Sequence, residues 1–235
     1  MITQPDNIAT NIIDILDLGL SPFKEVWDLQ KELVKKRQNG QIKDTLILAE
    51  HEPVYTLGKN ANENHILQNS PRDVKTYQIE RGGDVTYHGP GQLVGYPIMD
   101  LHNYNKSISC YMRSLEQLII DTLAEFRVTA ERKDGLTGVW VGDEKIAALG
   151  VRVTRWITMH GFALNVSPDL TYYSGIIPCG IFEYGVTSMA KQLTIEVEVD
   201  SVKQVLIEKF MNQFHTAESM IGYRWLACID FKKRI

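Results

Sequence analysis

The sequence predicts one α/β (α+β) domain built on a mixed β-sheet flanked by helices. Three observations predict it. Short apolar runs of strand length recur along the chain, they alternate with a few well-separated stretches of helical periodicity, and no repeat, low-complexity tract or Ser/Gly linker divides them. Apolar residues make up 44% and charged residues 23%, which excludes disorder, collagen and a coiled coil as the main state. A chain of 235 residues can bury a substantial core without disulfide or metal staples. Residues 1–235 are therefore expected to form a single domain.

The elements follow in order. Ser21-Pro22 offers an N-cap and a proline at the first helical position; Val26, Leu29, Leu33 and Val34 recur at helical spacing, and Asn39-Gly40 supplies the stop. The basic run Lys35-Lys36-Arg37 reads as a solvated face that complements the helix dipole. Thr45 to Glu50 and Val54 to Leu57 read as strands broken by His51-Glu52-Pro53, and residues 58–73 as a long polar loop. Val74 to Glu80 alternates like a half-buried strand, and Leu93 to Met99 is another. Ser107 to Phe126 predicts a long helix, with Cys110 packing in its first turn. Val128 to Val166 predicts a meander with a hairpin turn at Gly142-Asp143. A last helix is expected over about 202–214.

Charge and cysteine usage narrow the function. With 25 basic against 29 acidic residues the net charge is −4, which disfavours a general nucleic-acid binder, since that affinity comes from neutralising phosphates. No run approaches ~20 apolar residues and no basic segment with an apolar run opens the chain, so a cytoplasmic protein without a membrane span is expected. The three cysteines, Cys110, Cys179 and Cys228, form no CxxC pair, so no metal site is expected.

The segment Arg81-Gly82-Gly83-Asp84-Val85-Thr86-Tyr87-His88-Gly89-Pro90-Gly91-Gln92 stands out. Four glycines within twelve residues exceed what a turn needs and allow a ligand to approach the backbone closely. It is not a phosphate loop: GxxxxGK[ST] is missing and a strand, not a helix, follows. Cys179, between Pro178 and Gly180, is the best-displayed thiol, whereas Cys110 and Cys228 sit in helix-like or apolar surroundings that suit inert packing. A nucleophilic cysteine needs a base or cation nearby. His160, before Gly161-Phe162-Ala163-Leu164-Asn165, and Lys145, at the start of the apolar run Ile146 to Leu149, are both candidates; a lysine there is placed to be partly desolvated.

Taken together, the loop at 81–92, Lys145-Ile146-Ala147-Ala148-Leu149-Gly150, His160 to Asn165, Pro178-Cys179-Gly180 and Thr187-Ser188-Met189 resemble the octanoyl-[acyl-carrier-protein]:protein octanoyltransferases, the lipoyl(octanoyl) transferases of lipoate biosynthesis. The resemblance runs from about 17 to 193. It implies a biotin/lipoate protein ligase-like catalytic domain and a ping-pong acyl transfer. Cys179 would take the octanoyl group from the phosphopantetheine arm of acyl carrier protein as a thioester, and a lysine of a lipoyl domain would accept it. Such domains belong to 2-oxoacid dehydrogenases and the glycine cleavage H protein. Lys145 would lower the thiol pKa and move the proton. Arg81, Gly82, Gly83, Asp84, Val85, Thr86, Tyr87 and His88, with Ala148, Leu149, Gly150, Gly161, Phe162 and Ala163, would line the acyl pocket. No cofactor, nucleic acid or membrane is implied. The sibling lipoate ligases carry a different glycine loop that serves an adenylate and need no such cysteine; a silent binding module would not need a Lys145/Cys179 pair. Acidic partners would require a local basic rim, for which Arg132-Lys133, Arg152, Arg155 and Lys232-Lys233-Arg234 are candidates.

Overall fold

A computed structural model describes residues 13–67, 71, 74–104, 106–177, 184–214 and 224–226. Strand β1 (Ile13–Ser21) leads into helix α1 (Phe23–Gln38), then β2 (Asp44–His51), β3 (Val54–Leu57), β4 (Lys75–Gln78), β5 (Val85–His88) and β6 (Gln92–Ile98). Helix α2 (Ile108–Glu125), strands β7 (Val139–Val141), β8 (Glu144–Thr154), β9 (Ile157–Asn165) and β10 (Gly185–Val186), helices α3 (Met189–Leu193) and α4 (Val199–Phe214) and strand β11 (Arg224–Leu226) complete the order.

The large sheet runs β10-β8-β9-β6-β2-β1-β11, with β7 also paired to β8. It is mixed: β1 is parallel to both β2 and β11, whereas β2, β6, β9 and β8 are successively antiparallel. A smaller sheet, β4-β3-β5, carries the glycine-rich segment between β4 and β5. Helix α1 lies on one face, where Val26, Leu29, Leu33 and Val34 pack with Leu16, Ile47, Val94, Tyr96, Ile98 and Ala163. Helices α2 and α4 cover the opposite face through Leu115, Leu118, Ile119, Leu206 and Phe210, packed with Leu46, Leu48, Phe162 and Leu164. Burying each such side chain contributes roughly 1.5–3 kcal/mol, which is why the apolar stripes decide where the helices dock.

Most predicted elements are present, with informative differences. Asn39-Gly40 does end α1: Gly40 has φ +68°, and the amides of Gly40 and Gln41 donate to Arg37 O and Lys36 O in a Schellman arrangement. Ser21, however, is not the cap. Its hydroxyl turns back to Leu18 O at 2.8 Å, and Pro22 takes the cap position without a side-chain bond. Arg37 is not on a solvated face; it pairs with the buried Asp44. Cys110 is exposed rather than packed. The segment after Leu57 contains a 3₁₀ turn at Glu63–His65, and β4 is largely exposed rather than half-buried. Residues 144–154 form one long strand, closed onto β9 by Arg155 and Trp156, both at positive φ as a two-residue type I′ hairpin requires. Within the described residues no helix is long and apolar enough to cross a membrane.

Candidate active site

Where β8 and β9 lie side by side, paired positions on the α1 face are small. Ala148 pairs with Ala163 and Gly150 with Gly161. The missing side-chain bulk leaves a trough in the sheet. The glycine-rich segment from the small sheet roofs it, because Gly82 N donates to Val151 O at 3.0 Å. A Cβ on Gly150 would sit 2.8 Å from Gly82 O, so the roof reaches the sheet only over glycine.

The roof is fixed from within. Arg81 Nη2 donates to Thr56 O at 2.5 Å and to its hydroxyl at 3.0 Å, and Arg81 Nη1 to Gly82 O at 3.1 Å. Backbone amides of Gly58, Lys59 and Asn60 donate to Asp84 O, Arg81 O and Gly83 O. Asp84 accepts from its neighbour Val85 N and pairs with His65 Nδ1 at 2.6 Å. Arg81 and Asp84 thus hold the shape of the segment, in addition to any role toward a ligand.

The cavity beneath this roof measures about 490 Å³. Of the residues expected to line an acyl pocket, Arg81, Gly82, Gly83, Asp84, Val85, Thr86, His88, Ala148, Leu149, Gly150, Gly161, Phe162 and Ala163 all face it, as does Lys145. Tyr87 is placed elsewhere: its ring stacks on Tyr172 at 4.8 Å and packs with Tyr55 in a separate cluster. Alternation along β5 puts Tyr87 opposite Thr86 and His88; Val85 shares the Tyr87 cluster yet also borders the cavity, so it is the stacking on Tyr172 that takes the Tyr87 ring away. Cys179 lies outside the described residues, as do Pro178, Gly180, Cys228 and the basic cluster at 232–234.

Lys145 is buried and its ammonium sits 4.7 Å from the centroid of the Trp140 ring, a cation–π arrangement. Its carbonyl accepts from Thr187 N at 3.0 Å. From there a chain of buried hydrogen bonds joins the motifs. Asn165 Nδ2 donates to Thr187 O, Gln92 Nε2 donates to Asn165 Oδ1, and Gln92 Oε1 accepts from His88 Nδ1 at 2.7 Å. His88 is held neutral, its pKa pushed down to about 3 by burial and by the neighbouring His51. His160 is also neutral, lowered to about 4 by burial against the opposing pull of Glu80. It sits at φ +59° within β9, with its amide bonded to Gln30 Oε1 of α1. Neither histidine is available as a cation at neutral pH.

Three of the proposed rim charges already have partners: Arg132 with Glu116, Lys133 with Asp143, and Arg152 with Glu80. The sequence reading missed part of the wall, namely Phe23, Tyr96, Met112 and the run Gly135-Leu136-Thr137. The two glycines of Gly135-Leu136-Thr137-Gly138, just before an apolar strand, were the available signal. Among the described residues no cluster of His, Cys, Asp or Glu is placed to hold a metal ion.

Comparison with known proteins agrees with this geometry. Residues 22–211 match the lipoyl protein ligase A/B catalytic domain. An octanoyltransferase of Gloeobacter violaceus is 48% identical over 201 residues, covering 85% of this chain and 89% of that protein. An octanoyltransferase of Caldanaerobacter subterraneus subsp. tengcongensis is 43% identical, covering 94% and 98%. Among solved structures, the bipartite lipoate protein ligase of Thermoplasma acidophilum superposes with a TM-score of 0.68 at 18% identity, over 94% of this chain and 89% of that one. The chain therefore belongs to the lipoyl protein ligase A/B catalytic domain family and, within it, to the octanoyltransferases.

Proposed function

We propose that the protein transfers an octanoyl group from octanoyl-acyl carrier protein to the ε-amine of a lysine on a lipoyl domain, by way of a thioester on Cys179. The supporting observation is the cavity: three motif segments far apart in sequence wall one chamber, with small and apolar residues along its floor and a buried lysine among its lining residues. An apolar acyl chain gains by leaving water for such a chamber.

The chemistry needs no cofactor. The Cys179 thiolate attacks the thioester carbonyl, the carbon–sulfur bond to the carrier breaks, and the Lys145 ammonium gives its proton to the departing thiol. In the second half, the acceptor amine attacks the Cys179 thioester, the carbon–sulfur bond to the enzyme breaks, and the neutral Lys145 amine takes the amine's surplus proton. Forming an amide from a thioester is downhill, so no nucleotide is consumed. A lysine suits the role better than His88 or His160, both of which burial holds neutral. The acceptors are the lipoyl domains of 2-oxoacid dehydrogenases and the glycine cleavage H protein, and the site of action is the cytoplasm.

The test is intact mass after exposure to octanoyl-acyl carrier protein. One added octanoyl mass mapping to Cys179, absent in Cys179→Ser, supports the reading. A fully active Cys179→Ser protein, or octanoyl attachment that requires ATP and free acid, would overturn it.

A further inference from the structure

Glu116 lies on α2, outside the cavity lining, and is 2% exposed. A buried carboxylate is costly unless it is paired and hydrogen-bonded. It has three partners. Oε2 lies 2.8 Å from Arg113 Nη1 and 3.2 Å from Arg132 Nε, and Oε1 accepts from Gly138 N at 3.2 Å. Arg132 and Gly138 are the two ends of the segment that supplies Gly135, Leu136 and Thr137 to the cavity wall. One carboxylate therefore clamps both ends of that wall.

The Gly138 end bears on Lys145. Gly138 has φ +134°, and a Cβ there would lie 3.2 Å from Lys145 Cε and 3.0 Å from Ala147 O. The lysine stem thus runs against the Gly138 backbone, and its ammonium meets the Trp140 ring two residues further on. Moving Gly138 moves one wall of the groove in which the side chain is fixed. We infer that Glu116 is a positioning residue: by clamping Arg132 and Gly138 it sets the place of the Lys145 ammonium. This rests on the reading of Lys145 as the proton carrier. Simple scaffolding would require only that the carboxylate keep α2 folded. Positioning requires in addition that its loss changes how the proton is handled.

The experiment compares single-turnover acylation by octanoyl-acyl carrier protein across pH for wild type, Glu116→Ala, Glu116→Gln, Gly138→Ala and Lys145→Ala. The glutamine retains an oxygen for Gly138 N–H. Glu116→Ala is expected to slow acylation by about tenfold or more, since small misplacements of reacting groups cost that much, with KM within about twofold. It should also move the midpoint of the pH–rate profile, and Glu116→Gln, which keeps the Gly138 bond but turns a donor toward Arg113 and Arg132, should restore only part of the rate. Gly138→Ala, whose added Cβ would press on the same stem, should reproduce the shifted midpoint even if Glu116→Ala folds poorly. Wild-type pH midpoints in Glu116→Ala and Gly138→Ala, alongside a dead Lys145→Ala, would overturn the inference and leave the proposed function standing. An active Lys145→Ala would remove Lys145 as the proton carrier, and this inference with it, while wild type that takes no octanoyl group from the carrier protein would remove the proposed function itself.

Discussion

Asn165 Nδ2 donates to Thr187 O at 2.9 Å, and the amide of Thr187 donates in turn to Lys145 O at 3.0 Å. A single side chain at the end of β9 thus ties the strand carrying the cavity floor to the strand carrying the lysine. Its oxygen accepts from Gln92 Nε2 at 2.9 Å, but that amide also donates to Tyr87 O at 3.2 Å, so truncation leaves Thr187 O as the buried group without a partner. Leaving it unsatisfied costs roughly 1–3 kcal/mol. Asn165→Ala should lose about 1–3 kcal/mol in urea unfolding. A loss under about 1 kcal/mol would mean that water or a neighbour fills the place.

The close approach of roof and floor predicts an order of severity among glycine substitutions. A Cβ at Gly161 would fall well inside van der Waals contact with Gly95 O, a main-chain atom of a central strand that cannot move cheaply. At Gly150 the clash is with Gly82 O at 2.8 Å, on the roof segment, which can lift. Gly161→Ala should therefore destabilise by about 2–3 kcal/mol and Gly150→Ala by less, roughly 1 kcal/mol. The lifted roof in Gly150→Ala should nevertheless weaken acyl binding, read as a raised KM. Equal losses of stability in the two variants, with KM unchanged for Gly150→Ala, would contradict this packing.

Acid sensitivity follows from the buried histidines. His51 lies between Ser21 O and the Tyr96 hydroxyl, and burial lowers its pKa to about 4. His88 stacks on Phe23 beside it, lowered to about 3. The folded protein holds both rings neutral, while the unfolded chain takes up a proton on each near pH ~6.5. The unfolded state binds more protons throughout that window. Stability should fall as pH drops from about 6.5, by up to ~1.4 kcal/mol per pH unit per histidine, with the His51 share levelling off below about 4 and the His88 share below about 3. Urea unfolding between pH 6.5 and 5 reads this slope above the range of ordinary carboxylates. His51→Gln should flatten it by about one histidine's share; parallel curves for the two proteins would assign the acid sensitivity elsewhere.

What was legible in the sequence, and what was not, divides along physical lines. Asn39-Gly40 announced the end of α1 because a left-handed residue there favours glycine, and Gly40 indeed has φ +68°. The cavity lining was legible through motif residues that resemble a known family, and the pairing of Ala148 with Ala163 and Gly150 with Gly161 gives those small residues a common purpose. The turn at Arg155-Trp156 was not legible, since neither residue favours positive φ and the long β8–β9 ladder imposes it. Ser21 failed as a cap because the helix starts one residue later, with Pro22 in the cap position, and the serine hydroxyl instead donates to Leu18 O. Tyr87 fell out of the pocket because its ring stacks on Tyr172, a partner that only the fold brings to β5. The clamp at Glu116 joins residues 16 and 22 positions apart, Arg132 and Gly138, and only the fold brings them together.

The pairing of Arg37 with Asp44 shows what the solvated-face reading of the basic run overlooked, and it carries its own test. Asp44 is 4% exposed at the start of β2 and accepts from Arg37 Nε at 2.7 Å, Asp100 N at 2.9 Å and the Tyr104 hydroxyl at 2.9 Å. The carboxylate thereby joins the end of α1, the turn after β6 and the approach to α2. Removing the arginine leaves a buried carboxylate with neutral donors alone, so Arg37→Ala should cost about 3–5 kcal/mol, far more than an exposed lysine of the same run. Lys36, which pairs with Glu32 at the surface, should cost under about 1 kcal/mol. A double-mutant cycle separates the pair from its surroundings: Arg37→Ala and Asp44→Ala combined should lose at least about 1.5 kcal/mol less than the sum of the two single variants. Additivity within about 0.5 kcal/mol would mean that each side chain acts through its other partners and that the ion pair itself contributes nothing.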